Sequence, residues 1–358
     1  MRKRGLFFVF ACLVPAAAHC ATPIVGDWNG SGVDSVGLFS GNKFLLDYDD
    51  DGVADEVIGF GRSTDLPVAG DFNGDGFADI GVFRGSDRKF FIDYDLDSVA
   101  DDTVTIGRSS DLPVVGDWDS DGWDDIGVFR PSARRYYMDS NWDGIHDRAV
   151  TIGRLGDYSL VGDWDGDGVD SIGIFRPSVA RFYLDDDDDG VHDHAQYFGR
   201  STDVPIVGDW DGDGDDDIGV YRPSVDMFYL DDDFDGIAEW SIPGTVEPVT
   251  GTWLGGWHSE YGDYGSMTTV LVQTGSGLSG TLSVSNTECG NVWDVPLVGN
   301  MDSNGTYSFD ASYDCGWDIV TLECTNGVVS ADGLSMVGDY SVYASGYYYD
   351  SGTFTIER

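Results

Sequence analysis

The sequence predicts an all-β protein: a five-repeat β-propeller followed by a small antiparallel β barrel or sandwich. Three observations carry this prediction. An acidic pattern, typified by Asp163-Trp164-Asp165-Gly166-Asp167-Gly168-Val169-Asp170-Ser171, begins at Asp27, Asp71, Asp117, Asp163 and Asp209, in steps of 44, 46, 46 and 46 residues; this is an internal repeat. Each repeat holds four short β-rich runs separated by turn residues, the content of one propeller blade. From about Thr245 the acidic loops stop, and Thr, Ser, Gly and aromatic residues alternate with period two. No segment pairs a 3.6-residue apolar period with helix caps, and glycine breaks every candidate run.

Residues 1–21 read as an export signal. Arg2-Lys3-Arg4 precedes the apolar run Leu6 to Val14 and the small residues Ala16-Ala17-Ala18, the three regions of a secretory leader. The apolar run is too short to span a bilayer. Cleavage is expected near Ala18 to Ala21, or before Cys20 with lipidation of that cysteine, although His19 stands where a lipidation motif wants a small residue. The expected location is therefore secreted, periplasmic or cell-surface, with no transmembrane segment in the mature chain. If Cys20 is lost or lipidated, Cys289, Cys315 and Cys324 leave one disulfide and one odd thiol; if it survives, two bridges can form.

Residues 22–244 carry the repeats, and each repeat has two acidic loops. The first loop places oxygen side chains at positions 1, 3, 5 and 9. These are Asp27 and Asn29 in the first repeat, then Asp71, Asn73, Asp75 and Asp79 in the second. Asp117, Asp119, Asp121 and Asp125 follow in the third, Asp163, Asp165 and Asp167 in the fourth, and Asp209, Asp211, Asp213 and Asp217 in the fifth. The second loop supplies Asp47, Asp49, Asp51 and Asp55, then Asp93, Asp95, Asp97 and Asp101. Its later copies hold Asp139, Asn141, Asp143 and Asp147, then Asp185, Asp187, Asp189 and Asp193, and lastly Asp231, Asp233, Asp235 and Glu239. A hard cation needs six to eight oxygens, which alternate side chains and a carbonyl at position 7 can supply if position 6 turns sharply. Glycine occupies position 6 in nine of the ten loops, and Ser98 in the other. The spacing predicts up to ten calcium ions. Ser31 and Ser35 replace carboxylates in the Asp27 loop, so that site is expected to be weakest.

The loops run into β-rich segments such as Asp217-Ile218-Gly219-Val220-Tyr221 rather than helices, which excludes an EF-hand. Over residues 22 to 244 the chain resembles the FG-GAP/VCBS repeat family, whose loops have the form D-x-[DN]-x-D-G-x-x-D. The resemblance implies a calcium-loaded propeller that serves adhesion or recognition. Its propellers usually have about seven blades and longer repeats, so the blade number here rests on the five repeats alone.

In the third repeat, Pro113 to Trp118, Asp125 to Phe129, Arg135 to Asp139 and Ala149 to Gly153 read as strands. The two acidic loops then join strands 1 to 2 and 3 to 4, which puts both on one rim of a disc. An open stack is the rival, but calcium-binding solenoid repeats are much shorter. Pro248 to Trp253 echoes Pro113 to Trp118 without the following loop and is read as the start of the next domain.

Residues 245–358 form the C-terminal all-β domain, with strands expected at Thr268–Val272, Gly280–Val284, Tyr307–Phe309, Asp318–Leu322 and Gly352–Ile356. Gly251 to Trp257 loosely resembles the first strand of calycin-type barrels, a likeness that implies an internal ligand site.

Lys and Arg number 19 against 65 Asp and Glu. The balance is +3 over residues 1–21, −36 over 22–240 (15 basic, 51 acidic) and −13 over 241–358 (1 basic, 14 acidic), summing to −46. A field of that sign disfavours nucleic acid and anionic membranes. No nucleophile elbow, zincin, Walker or dinucleotide motif occurs, so no enzyme is expected. His192-Asp193-His194 reads as variable loop rather than a transition-metal site. Trp28, Phe72, Trp118, Trp164 and Trp210 are expected to wedge between blades; if they faced solvent they would suit a lectin. Arg84, Arg130, Arg176 and Arg222, and the second set Arg62, Arg108, Arg154 and Arg200, are expected to pair with carboxylates rather than bind anionic glycans. The expected protein is a monomeric, non-enzymatic module for an extracellular protein or glycan.

Overall fold

The structure is a computed structural model that describes residues 21–245, 248–274, 276–287, 290–301, 306–315, 319–330, 335–344 and 347–358. Residues 1–20, which include Cys20 and all of the export segment but Ala21, lie outside the described residues, as does Cys289. The chain divides into two compact units between Thr245 and Val246. The described residues form strands and turns and no helix.

The first unit is a five-bladed propeller. Blade 1 comprises β1 (Thr22–Gly26), β2 (Ser35–Ser40), β3 (Lys43–Leu46) and β4 (Glu56–Gly59). Blade 2 comprises β5 (Leu66–Gly70), β6 (Asp79–Arg84), β7 (Lys89–Asp93) and β8 (Asp102–Thr105). Blade 3 has β9 (Leu112–Gly116), β10 (Asp125–Arg130) and β11 (Arg135–Asp139). Blade 4 has β12 (Tyr158–Gly162), β13 (Ser171–Arg176), β14 (Arg181–Asp185) and β15 (His194–Tyr197). Blade 5 has β16 (Val204–Gly208), β17 (Asp217–Arg222), β18 (Met227–Asp231) and β19 (Trp240–Pro243). Each blade is an antiparallel meander in sequence order. The innermost strands touch around a closed ring, β1 to β5, β9, β12 and β16, with β16 returning to β1. The expectation of a ring rather than an open stack is met by that last contact.

Burial follows the position of each strand. Second strands such as Asp125–Arg130 are apolar runs buried on both faces, as a sheet packed between neighbouring blades requires. Third strands alternate, and the outermost bury one side chain at most, as in Asp102–Thr105. The strand expected at Ala149–Gly153 is a correction: blade 3 has three regular strands, and this segment meets β11 only through isolated bridges at Arg135↔Thr151 and Met138↔Arg148. The neighbouring Arg148 side chain reaches instead to Asp188 of blade 4, 2.7 Å away.

Trp28, Phe72, Trp118, Trp164 and Trp210 are all buried. Their rings fill the interior, so none offers a stacking face to a sugar. Arg84, Arg130, Arg176 and Arg222 each hold a buried aspartate of the preceding turn, Asp65, Asp111, Asp157 and Asp203, with both Nε and Nη2. The Nη2 contacts are 2.6 to 2.7 Å. Each guanidinium also lies over a ring of the third strand, Phe91, Tyr137, Tyr183 or Tyr229. Blade 1 has Ala21, Ser40 and Leu45 at the equivalent places, so the clamp is lost there as a unit and leaves no lone buried charge. The second arginine set does not follow the expectation. Arg62, Arg108, Arg154 and Arg200 are exposed, and no side-chain ion pair forms at any of the four among the described residues.

The second unit is a closed antiparallel barrel of eight strands, which decides between barrel and sandwich. The strands are β20 (Gly251–Ser259), β21 (Tyr264–Thr274), β22 (Gly277–Thr287), β23 (Gly290–Met301), β24 (Tyr307–Asp314), β25 (Ile319–Val329), β26 (Ser335–Ala344) and β27 (Tyr347–Glu357). Gly251 to Trp253 opens the barrel rather than completing the propeller. Trp253 is fully buried and donates its indole N–H to the Val249 carbonyl at 2.8 Å. A cavity of about 570 Å³, lined by Trp257, Tyr340 and Asp350 among others, opens at one end. Cys315 is disulfide-bonded, and Cys324 is a buried free thiol.

Removing one member of a buried ion pair costs about 3–5 kcal/mol because the other charge is left uncompensated. Arg176→Ser should therefore lower the unfolding free energy by about that much. Asp157→Ala/Arg176→Ser, which copies blade 1, should recover most of the loss in denaturant melts. A double variant no more stable than the single one would mean the charge pair is not what blade 1 has dispensed with.

Candidate metal centre

The acidic loops share one backbone design. In most loops the aspartate at position 1 accepts the N–H groups of positions 5 and 6, as Asp185 does from Asp189 at 3.2 Å and Gly190 at 2.8 Å. Position 5 accepts from position 7, as Asp189 does from Val191 at 2.7 Å. A carboxylate at position 9 reaches back to the N–H of position 2, as Asp193 does to Asp186 at 3.0 Å. These bonds bend the carboxylates inward around one point. Position 6 has positive φ in every loop, from +81° at Gly144 to +107° at Gly214, and Ser98 adopts +70°. A residue with a Cβ is therefore tolerated where glycine is the rule.

The carboxylates meet as the spacing predicts. Oxygens of Asp47, Asp49 and Asp55 lie within 4.8 Å of one another, as do those of Asp93, Asp95 and Asp101, and of Asp117, Asp119 and Asp125. The same holds for Asp163, Asp165 and Asp167, and for Asp185, Asp187 and Asp193. Asp79 faces Asp71 and Asp75, Asp217 faces Asp209, Asp211 and Asp213, and Asp231 faces Asp235 and Glu239. Asp51 lies near Asp55. Asp233 accepts the Asp235 N–H, and Asp97 lies near Asp93. Asn73 and Asn141 donate their amides to Asp79 and Asp147, and Asp143 accepts the Ile145 N–H. Asp121 accepts the Trp123 N–H. In the Asp27 loop, Asp27 and Asn29 both accept from Ser31.

The donor set suits a cation. Asp139 is fully buried; Oδ2 accepts the Gly144 N–H at 2.8 Å, while buried Oδ1 has no hydrogen-bond partner. A positive ion satisfies such an oxygen where a donor does not. Burial pushes Asp79 and Asp125 up to about 8 and Asp217 up to about 9, and the carboxylates beside them push the same way. Burial likewise raises Asp47 to about 7.

Sequence reading passed over two further positions. Position 4 also has positive φ in every loop, and in the second loops of blades 1, 3 and 4 its side chain crosses to the first loop of the same blade. Where position 9 of the first loop is serine, position 4 of the second is aspartate: Asp50 caps the Val36 N–H at 3.0 Å and Asp188 the Ile172 N–H at 2.8 Å. Where position 9 is aspartate, position 4 is Leu96, Trp142 or Phe234, and the Trp142 indole donates to Asp125. These contacts hold both loops of a blade on one rim. At position 8, Asp124, Asp170, Asp216 and Asp34 each accept the backbone N–H of position 1 in the adjoining blade, Asp71, Asp117, Asp163 and Asp209, at 2.7 to 3.0 Å. Each returns its own N–H to that residue's carbonyl. The only sequence signal for either position was recurrence in phase.

His146 and His192 stand edge-on to Tyr137 and Tyr183, and His194 bonds Asp186 at 2.9 Å. The His192-Asp193-His194 run thus sends its two imidazoles to different partners.

No protein-family model matches the chain, and no curated protein does. Among solved structures the chain is similar to BamB from Moraxella catarrhalis at 10% identity, over 78% of this chain and 93% of that one, with a TM-score of 0.24. The propeller therefore stands on its own strand pairing.

An acid whose folded pKa is raised contributes stability that is complete below its unfolded value of about 4 and is lost as pH rises through the folded value. Dialysed free of divalent ions, the protein should melt at progressively lower temperature between about pH 4 and pH 9. Saturating calcium should flatten that slope. A metal-free melting temperature that rises across the window would mean the clustered carboxylates are ionised without penalty.

Proposed function

We propose that residues 22–244 hold calcium in the acidic loops, up to ten ions, and that the chain is an exported, non-enzymatic recognition module whose propeller depends on that calcium. The carrying observation is the repeated gathering of carboxylates around loops whose backbone is already bent, with a buried Asp139 oxygen lacking any donor. Oxygen-only donors favour a hard cation over metals that seek thiolate or imidazole. Ten calcium ions would bring the −36 of residues 22–240 to −16, a tolerable charge for a compact domain. In this reading the aspartates, asparagines and Glu239 at positions 1, 3, 5 and 9 are the side-chain ligands. Calcium would supply charge neutralisation and cross-linking rather than catalysis.

Burial of the five loop aromatics favours a protein partner over a glycan. The side chains that do stand out at position 7 are Phe77, Val99, Trp123, Ile145, Val191 and Ile237, apolar tips of the kind that anchor protein interfaces. A glycan array probed in calcium should be silent, while saturable binding of one sugar class would turn the reading to a lectin.

Extracellular calcium modules bind at about 10⁻⁴ to 10⁻³ M. At roughly 2 mM calcium each site would add about 0.6 to 1.8 kcal/mol by mass action, and ten sites about 6 to 18 kcal/mol. The melting temperature should thus climb steeply from chelator to millimolar calcium. Asp213→Ala, in a loop with four carboxylates, should remove more of that climb than Asp27→Ala. A melting temperature indifferent to calcium defeats the metal reading, and equal effects of the two substitutions defeat the ranking.

A further inference from the structure

The meander fixes which residues share a rim. First-to-second and third-to-fourth strand loops lie at one end of every blade, and second-to-third and inter-blade turns at the other. Of the 15 basic residues between 22 and 240, 14 fall on the turn rim and only Arg148 on the loop rim. Of the 51 acidic residues, 45 fall on the loop rim and six on the turn rim: Asp65, Asp87, Asp111, Asp157, Asp203 and Asp226. The rims therefore carry −44 and +8, the two parts of the −36 of the whole. Four of the six turn-rim acids are buried in the arginine clamps. The exposed turn rim thus shows ten basic side chains against Asp87 and Asp226.

Thickness decides whether the acidic rim cancels this face. Strands of five or six residues make the disc about 17–20 Å deep, whereas charges in physiological salt are screened over about 8 Å. A partner at the turn rim therefore meets the local positive charge and not the net −36.

We propose that the turn rim is a docking face for an anionic phospholipid surface. Arg62, Arg108, Arg154 and Arg200, one on each of four successive inter-blade turns, are exposed and outside every ion pair described. Four cations spread over successive blade junctions match a sheet of headgroups better than they match a narrow polymer. Leu155, Val179 and Val225 project from the same rim, exposed by 74%, 48% and 54%, and apolar tips among basic side chains favour a bilayer interface. Whole-chain charge argued against an anionic membrane; the segregation of that charge by the blades reverses the argument for one face. Nothing in this proposal requires calcium in the loops.

The test is flotation of the two-domain chain beginning at Ala21 with vesicles of phosphatidylcholine alone or mixed with phosphatidylglycerol. The expected result is binding only to the phosphatidylglycerol vesicles, released by salt. Each Arg→Ser at 62, 108, 154 and 200 should weaken partitioning about fivefold. The fourfold variant should melt as the parent does, and the single variants keep the test open if it does not. Equal binding to phosphatidylcholine alone overturns the proposal. So does binding that survives all four substitutions and follows calcium, which would place the acidic loops against lipid. Capture by soluble dextran sulfate without vesicle binding would assign the face to an acidic polymer instead.

Discussion

The fold depends on what is done with the aspartate that opens each first loop. Asp117 shows the arrangement: Oδ1 and Oδ2 accept the N–H groups of Asp121 and Gly122, while its own N–H is held at 2.7 Å by Asp170 of the next blade. Its carbonyl takes the Asp170 N–H in return at 3.0 Å. One residue thus shapes a loop, orients a carboxylate and ties two blades. The tie closes on itself, because Asp209 of the last blade makes the same exchange with Asp34 of the first. The approach is close enough that a Cβ on Gly116 would lie 2.9 Å from the Asp170 carboxylate, which accounts for the Val-Gly-Asp run that ends nearly every innermost strand.

Variation among the blades follows the cost of stranding a polar group. Blade 1 lacks both halves of the arginine clamp, and blades 1 and 4 exchange a first-loop carboxylate for one brought over from the second loop at Asp50 or Asp188. In each case the repeats change by sets, since a buried donor or charge left alone costs more than the pair contributes. At the one clasp without a carboxylate, Ala78 still donates its N–H to the Asp27 carbonyl at 2.9 Å, so the ring keeps its backbone bond and loses only the side-chain one.

The same meander that gathers the acidic loops also separates charge. Loops rich in aspartate recur at alternate turns, and arginine recurs at the others, so a chain with a large net charge presents two unlike faces. Composition averages over both and describes neither.

Much was legible in the sequence because it is local. Loop spacing, the glycine at position 6, strand alternation and the repeat length specify the all-β class, the blade content and the carboxylate clusters through bonds that span nine residues or fewer. The closed ring, the clasp from position 8 to the neighbouring blade, the crossing of Asp50, Trp142 and Asp188 between loops, and the eight-strand closure of the C-terminal barrel were decided only by tertiary structure. Each joins residues from 14 to 175 positions apart, and periodicity in a chain records what recurs but not which copy meets which. The arginines make the contrast plain. Both sets recur with the same period, yet one is buried against aspartate and the other faces solvent, because strand direction and the depth of a turn, rather than residue type, set what each guanidinium can reach.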